Sequence, residues 1–324
     1  MKINARLALL FCCGLVCLIL SCEKDDNDKP KCDTFSSADS ICFCQQQAGN
    51  IRCSDVLNTS ISISLVTEEV PELTPHPSNG TIWSKGFSIG NTIFVIDRES
   101  ESPQAFWKFD LHNDGDWVAA APFPGNRYGL TGAANGKGYA SSSSSNEFWE
   151  YDPAINAWTS LDTLPFTATE THWVEYEGKF YVPDQDGVFE FDPVTKEWNT
   201  FSDQTSSGFG AIFIIGSDMY WWNINDEDMS HLDLEDKSYE KVPITDENFN
   251  TSVTFNSPFV IEGVAYIVGN TTLWIFDNQS QTWFSDGGII SSGQTYADDA
   301  FVIDGTAYVI DNGNLRIMEF SSGD

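Results

Sequence analysis

The stretch Trp149-Glu150-Tyr151-Asp152-Pro153-Ala154-Ile155-Asn156-Ala157-Trp158 decides the fold. Two aromatics flank a glutamate on an alternating run, an Asp opens a short turn, and a Trp follows the Asp after that turn. The interval from Asp to aromatic recurs at Asp110–Trp117, Asp152–Trp158, Asp192–Trp198, Asp233–Tyr239 and Asp277–Trp283. The closing aromatics are 41, 40, 41 and 44 residues apart. A fixed period of about 40–50 residues marks a repeat architecture, each repeat being one supersecondary unit.

Outward from this stretch, each period carries the same parts. A hairpin precedes it, with an aromatic in its second strand: Phe94, Tyr139, Tyr181, Tyr220, Tyr266 and Tyr308. The turns before these aromatics carry Gly90, Gly136, Gly178, Gly216, Gly263 and Gly305, as tight hairpins needing positive φ do. The third strand ends in the aromatic-x-aromatic-Asp run, and the fourth opens on the Trp. Four short alternating strands per period make a propeller blade. Six second-strand aromatics give an all-β, six-bladed propeller. Its last blade has only three strands of its own, ending at Arg316–Phe320. The alternating segment Ser60–Val66 stands ahead of the first blade and is expected to close the ring as the missing strand.

These residues resemble the kelch-repeat family over roughly residues 60–320. The resemblance rests on the Gly-x-x-Tyr second strand, Tyr151-Asp152-Pro153, the Trp after each Asp, and the Pro122–Arg127 segment. It departs where the family pairs two glycines at the end of the second strand. Here stand Ala140-Ser141-Ser142, Val182-Pro183-Asp184 and Val309-Ile310-Asp311. The fourth repeat is degenerate, with Ser230 and Leu232 in aromatic places.

The front of the chain is built differently. Residues 1–21 read as an export signal: Lys2 and Arg6, then an apolar run from Leu7 to Leu20 too short to span a bilayer. Ile19-Leu20-Ser21-Cys22 resembles the lipobox of bacterial lipoproteins, which implies lipid on Cys22 and anchoring through lipid alone. Residues 22–31 form an acidic tether, and Glu23-Lys24-Asp25-Asp26 resembles the surface-export signal of Bacteroidetes lipoproteins. The expected location is the outer membrane, surface-exposed, with the periplasmic leaflet as the alternative. Residues 32–57 hold Cys32, Cys42, Cys44 and Cys53, while the rest of the mature chain beyond Cys22 has no cysteine. In an exported segment this reads as two disulfides, Cys32–Cys42 with Cys44–Cys53 or Cys32–Cys44 with Cys42–Cys53. A zinc site is the other reading, but short Cys pairs are missing. Residues 58–324 are the propeller.

Without residues 1–21 the chain has 14 Lys plus Arg against 48 Asp plus Glu, a net charge of −34. That excludes nucleic acid and anionic membrane faces as partners, since both need clustered cations. The expected form is a monomer.

Binding residues of a propeller concentrate in the variable loops between blades and between second and third strands. The candidates on that face are Arg127, Tyr128, His172, Trp173, Asp184, Asp186, Asp226 and Asp228, with Asp97 beside them and Tyr128, Phe166, Trp173 and Phe249 expected at or near the rim. Carboxylates with aromatics suit a glycan or a protein ligand, and scattered arginines do not suit phosphate or sialic acid. The expected function is therefore a binding module without cofactor.

The alternative is a carbohydrate-active enzyme, either a sugar mutarotase or epimerase, or a glycoside hydrolase. Copper chemistry like that of galactose oxidase needs a Cys inside the propeller, and there is none. A sialidase needs an Arg triad, whereas the mature chain has only Arg52, Arg98, Arg127 and Arg316. Paired-carboxylate hydrolysis turns on a separation of about 5–10 Å that sequence does not display. Asp110, Asn113, Asp114 and Asp116 form a weak calcium candidate around Gly115, in a turn every blade shares.

Overall fold

The structure is a computed structural model. It describes residues 10–12, 15–17, 40–47, 50–57, 84–97, 103–112, 116–143, 145–168, 172–205, 210–223, 228–244, 249, 257–270, 272–289, 295–311 and 318–321. The chain divides into two compact units, Met1–Ser62 with Gly323–Asp324, and Ile63–Ser322. Every regular element among the described residues is a strand.

The first unit holds two hairpins. β1 (Leu10–Cys12) pairs β2 (Leu15–Cys17), and β3 (Ser40–Gln47) pairs β4 (Asn50–Leu57). The backbone register of the second hairpin sets Cys44 opposite Cys53 and Cys42 opposite Asp55. Cys22 and Cys32 lie outside the described residues.

The second unit is a β-propeller. Its first blade is β5 (Lys85–Ile89), β6 (Thr92–Ile96), β7 (Phe106–Asp110) and β8 (Val118–Ala119). The second is β9 (Tyr128–Ala134), β10 (Lys137–Ser142), β11 (Phe148–Asp152) and β12 (Ala157–Ser160). The third is β13 (Val174–Tyr176), β14 (Lys179–Asp184), β15 (Gly187–Asp192) and β16 (Glu197–Ser202). The fourth is β17 (Gly210–Ile215), β18 (Asp218–Asn223), β19 (Asp228–Asp233) and β20 (Tyr239–Pro243). The fifth is β21 (Phe259–Ile261), β22 (Val264–Asn270), β23 (Thr272–Asp277) and β24 (Thr282–Ile289). β25 (Thr295–Ile303), β26 (Thr306–Asp311) and β27 (Met318–Ser321) form a three-stranded sixth, joined to the fifth where β22 pairs β25. The expected closing strand, Ser60–Val66, lies outside the described residues.

The recurring Asp explains itself as a turn former. Its carboxylate accepts the backbone N–H two residues on: His112 to Asp110 at 2.9 Å, Ala154 to Asp152 at 2.8 Å, Val194 to Asp192 at 2.8 Å, Glu235 to Asp233 at 2.7 Å and Gln279 to Asp277 at 3.0 Å. This side-chain bond mimics a backbone turn and fixes the connection between third and fourth strands. In the first hairpins, Asn135-Gly136 and Glu177-Gly178 both take positive φ, as a type I′ turn requires.

The aromatics fill the spaces between blades. Phe87, Phe94 and Phe106 of the first blade pack with Tyr128, Trp149 and Tyr151 of the second. Phe148 of the second packs with Trp173, Phe180 and Phe191 of the third, and Phe213 and Trp222 of the fourth with Trp274, Phe276 and Trp283 of the fifth. Val174, Tyr181 and Val188 of the third blade meet Ile212, Trp221 and Leu232 of the fourth. The sequence closes on itself: Phe301 and Ile303 of the sixth blade pack with Ile93, Val95, Phe109 and Trp117 of the first. Close approach here needs glycine, since a Cβ at Gly138 would overlap the Phe87 ring of the preceding blade.

Trp158 packs against Phe106, Phe123 and Tyr151 at ring separations of 5.1, 5.1 and 5.0 Å, and its Nε1 donates to Ala121 O at 2.9 Å. Its counterpart in the degenerate blade, Tyr239, lies 6.1 Å from Trp221. Trp158→Ala is expected to cost about 3–5 kcal/mol and Tyr239→Ala clearly less, by chemical denaturation. Equal losses would contradict the wedge role.

Candidate functional site at the axial mouth

The first strand of each blade is innermost. β5 lies against β9 and β25, and β17 against β13 and β21. Pairing fixes equivalent positions on these strands. Phe87, Gly132, Val174, Phe213, Phe259 and Phe301 face the second-strand aromatics Phe94, Tyr139, Tyr181, Tyr220, Tyr266 and Tyr308. Two residues earlier stand Lys85, Leu130, His172, Ala211, Ser257 and Asp299. That column lies toward the end of the axis where the inner strands begin.

Four members of the column converge. The Lys85 ammonium lies 2.7 Å from His172 Nε2 and 3.4 Å from its Nδ1, and it donates to Ser257 Oγ at 3.2 Å. Ser257 Oγ donates to Asp299 Oδ1 at 3.1 Å. Asp299 also accepts Gly86 N–H at 2.7 Å and Ala300 N–H at 3.0 Å. The first, third, fifth and sixth blades thus meet in one hydrogen-bonded group, and the Gly86–Asp299 bond ties the last blade to the first. Leu130, Ala211, Ser257 and Asp299 are buried, whereas Lys85 and His172 keep accessible surface.

The electrostatics follow from burial. His172 is only half-buried by surface area, yet enough protein surrounds it that burial, then the Lys85 charge, holds its pKa well below the usual imidazole range. It is therefore neutral near pH 7. Burial pushes the Asp299 carboxyl up, opposed by Lys85 and by the three donors that favour its ionised form. A cation, a neutral imidazole, a hydroxyl and a carboxylate in series can bind polar ligands or move protons.

Of the residues singled out from sequence, His172 belongs to this group. Arg127 is half-buried at the start of the second blade, its carbonyl accepting Ser143 N–H at 2.7 Å. Asp184 ends β14, half-buried, and burial raises its pKa with Asp186 adding a smaller push. Asp186 is exposed, Asp228 begins β19, and Asp226 lies outside the described residues. The register His172 to Asp184 and Ala211 to Asp228 places these carboxylates toward the same end of their blades as the column.

The expected aromatic rim is interior instead. Tyr128, Phe166, Trp173 and Phe249 are 2%, 5%, 9% and 6% exposed, because the blades use them as wedges. Trp173 stacks on Phe180 at 4.0 Å. Asp97 is also buried, accepting Trp107 Nε1–H at 2.9 Å. In the calcium candidate, Asp110 is engaged by its turn while Asn113 and Asp114 lie outside the described residues. Among the described residues no group of three or more His, Cys, Asp and Glu could hold a metal.

Lys85, Ser257 and Asp299 escaped sequence reading. They carry no motif, and Lys85 and Asp299 stand 214 positions apart. The signal that finds them is the column itself, two residues before the partner of each second-strand aromatic.

The chain is similar to the solved structure of YjhT, at 14% sequence identity and a TM-score of 0.62, over 77% of this chain and 95% of that one. Similarity extends to 774 solved chains, so it marks a widely used fold and not an activity. No family model and no curated protein matches the chain. The propeller is compatible with a binding module and with an enzyme.

The lowered His172 pKa makes stability pH-dependent. Between the ordinary imidazole range and that lowered value, the unfolded chain binds a proton the folded chain does not. Stability therefore rises with pH through that window and is lost on acidification. The wild-type melting temperature should fall more steeply from about pH 7 to about pH 5 than that of His172→Asn. Parallel curves would contradict a buried neutral His172.

Proposed function

We propose that the chain is a surface lipoprotein whose kelch-like propeller binds a glycan or protein partner at the face where the inner strands begin. Lipid on Cys22 tethers it to the outer membrane, and residues 32–57 form a disulfide-stapled segment between tether and propeller. The pairing is Cys32–Cys42 with Cys44–Cys53, or Cys32–Cys44 with Cys42–Cys53. Unreduced peptide mapping is expected to recover one of these two sets of linked pairs, and recovery of four free thiols would contradict the disulfide reading.

The observation that carries the binding reading is the convergence of Lys85, His172, Ser257 and Asp299 at one end of the axis. Charged and polar groups are costly to bury and add less to stability than apolar packing of the same volume. Four blades supplying them at one column position, where Leu130 and Ala211 serve the other two, supports a recognition role. The carboxylates Asp184, Asp186 and Asp228 on the same face would line the approach, and such groups accept hydrogen bonds from sugar hydroxyls.

A second reading, a mutarotase, epimerase or glycoside hydrolase, draws on one specific observation. Lys85 lies 2.7 Å from a neutral His172, an arrangement able to pass a proton. The detergent-solubilised full chain, screened on a glycan array beside a turnover assay with reducing sugars and aryl glycosides, separates the two. Retained glycan without turnover is the expected outcome. Turnover without any retained ligand would replace the binding reading with the enzymatic one.

A further inference from the structure

Three seams of the ring are plugged in one way. A Phe from the inter-blade connection lies between an aromatic of the third strand and the Trp of the fourth. Phe123 stands 5.2 and 5.1 Å from Trp149 and Trp158, Phe166 4.9 and 5.4 Å from Phe189 and Trp198, and Phe249 5.1 and 5.2 Å from Trp274 and Trp283. The seam between the third and fourth blades departs from this. Counted from the shared Asp, Ser230 holds the place of Trp149, and Tyr239 that of Trp158. Gln204 precedes the column residue Ala211 by seven positions, as Phe123 precedes Leu130. Lys241 stands where the first, second, third and fifth blades carry Ala119, Ser160, Thr200 and Ser285.

The substitutes find one another. The Lys241 ammonium donates to Ser230 Oγ at 2.8 Å, and the Tyr239 hydroxyl lies 3.3 Å from the same oxygen. Ser230 is 2% exposed, Tyr239 is half-buried and Lys241 is exposed. Apolar rings here would stabilise the seam more than this polar group does. Lys241 also differs from lysines elsewhere. Lys137 pairs with Asp152, Lys179 with Glu190 at 2.9 Å and Lys196 with Glu150 at 2.9 Å. Among the described residues the Lys241 ammonium bonds a hydroxyl and no carboxylate. It carries three donors, so two N–H groups remain for solvent or a ligand. We propose that Lys241, with the Tyr239 hydroxyl beside it, forms an off-axis subsite for the carboxylate of an acidic sugar, and that Ser230 positions the ammonium. This rests on the reading of the propeller as a glycan-binding module and adds a contact away from the axis.

The chemistry matches one carboxylate on a hydroxylated ring. A bond from an ammonium to a carboxylate is charge-assisted and about twice as strong as a neutral one. Ser230 anchors the ammonium, so less side-chain freedom is lost when a ligand arrives. Asp228 lies opposite Pro243, and Ser230 opposite Lys241, which makes Asp228 and Lys241 diagonal neighbours across β19 and β20. A carboxylate at Asp228 accepts from ring hydroxyls beside the bound carboxylate. It also repels any second anion, in a chain whose formal net charge is −32. A single uronate is thus favoured over a polyanion, and over an acidic peptide, which brings several carboxylates without hydroxyls.

The test is titration calorimetry of the full chain with methyl hexuronides, the matching neutral methyl hexopyranosides and N-acetylated triglutamate, with melting curves as the folding control. A uronide should bind more tightly than its neutral counterpart and than triglutamate. Lys241→Met should weaken uronide binding by about tenfold or more and erase the preference. Tyr239→Phe should weaken it by less. Asp228→Asn should tighten it, an effect that loosening of the blade would not produce. Equal or tighter binding of the neutral glycoside by the wild type would overturn the acidic-sugar assignment and leave glycan binding standing. Unchanged uronide affinity in folded Lys241→Met would remove the carboxylate from this seam. Triglutamate bound in preference to every glycoside would replace the sugar with an acidic peptide. Failure to bind any of these probes would overturn the assignment, whereas the glycan reading itself falls only if the array retains nothing.

Discussion

The structure depends on one constraint: a four-stranded sheet of this composition has two apolar faces and can bury both only between neighbours. Blade on blade, Phe, Tyr and Trp rings supply the buried area, as between Phe87, Phe106, Tyr151 and Trp158. The same need explains closure. The sixth blade packs on the first through Phe301 and Ile303, so the array does not end in an uncovered face. Among the described residues, the buried indole N–H groups of Trp173, Trp198 and Trp222 have no protein hydrogen-bond partner. A buried N–H left wholly unbonded costs about 1–3 kcal/mol, set against the apolar area such a ring covers.

Ring closure has a consequence at the axis. Six inner strands in common register bring one position from every blade to a narrow space. Whatever residues occupy that position become neighbours, however distant in sequence. Here the occupants are Lys85, Leu130, His172, Ala211, Ser257 and Asp299, and the polar four satisfy one another. The Gly86–Asp299 bond is at once part of this group and part of the joint between last and first blades. The polar group at the axis and the joint that closes the ring therefore share residues.

The fold was legible because its determinants are local and repeated. Asp152 and its counterparts shape a turn within their own blade, and Trp158 follows at a fixed distance, so both show as periodicity. The turn glycines at 90, 136, 178, 216, 263 and 305 all take the positive φ their hairpins demand. The site was mostly illegible for the converse reason. His172 could be suspected as a histidine at a blade entry, but Lys85, Ser257 and Asp299 acquire meaning only from the register of three different sheets. Tyr128 and Trp173 misled because an aromatic beside a loop and an aromatic wedge look alike until burial separates them. The acidic residues Asp184, Asp186 and Asp228 were visible, and the blade pattern alone assigned their loops to one face.

The central claim is that the first and last blades bring Lys85 and Asp299 together at the axis. A double-mutant cycle on folding stability with Lys85→Met and Asp299→Asn tests it most directly. Residues this far apart in sequence add independently unless the ring brings them into one network. The account predicts a coupling of about 1 kcal/mol or more, the double variant losing less than the sum of the single losses. Additive losses would contradict it.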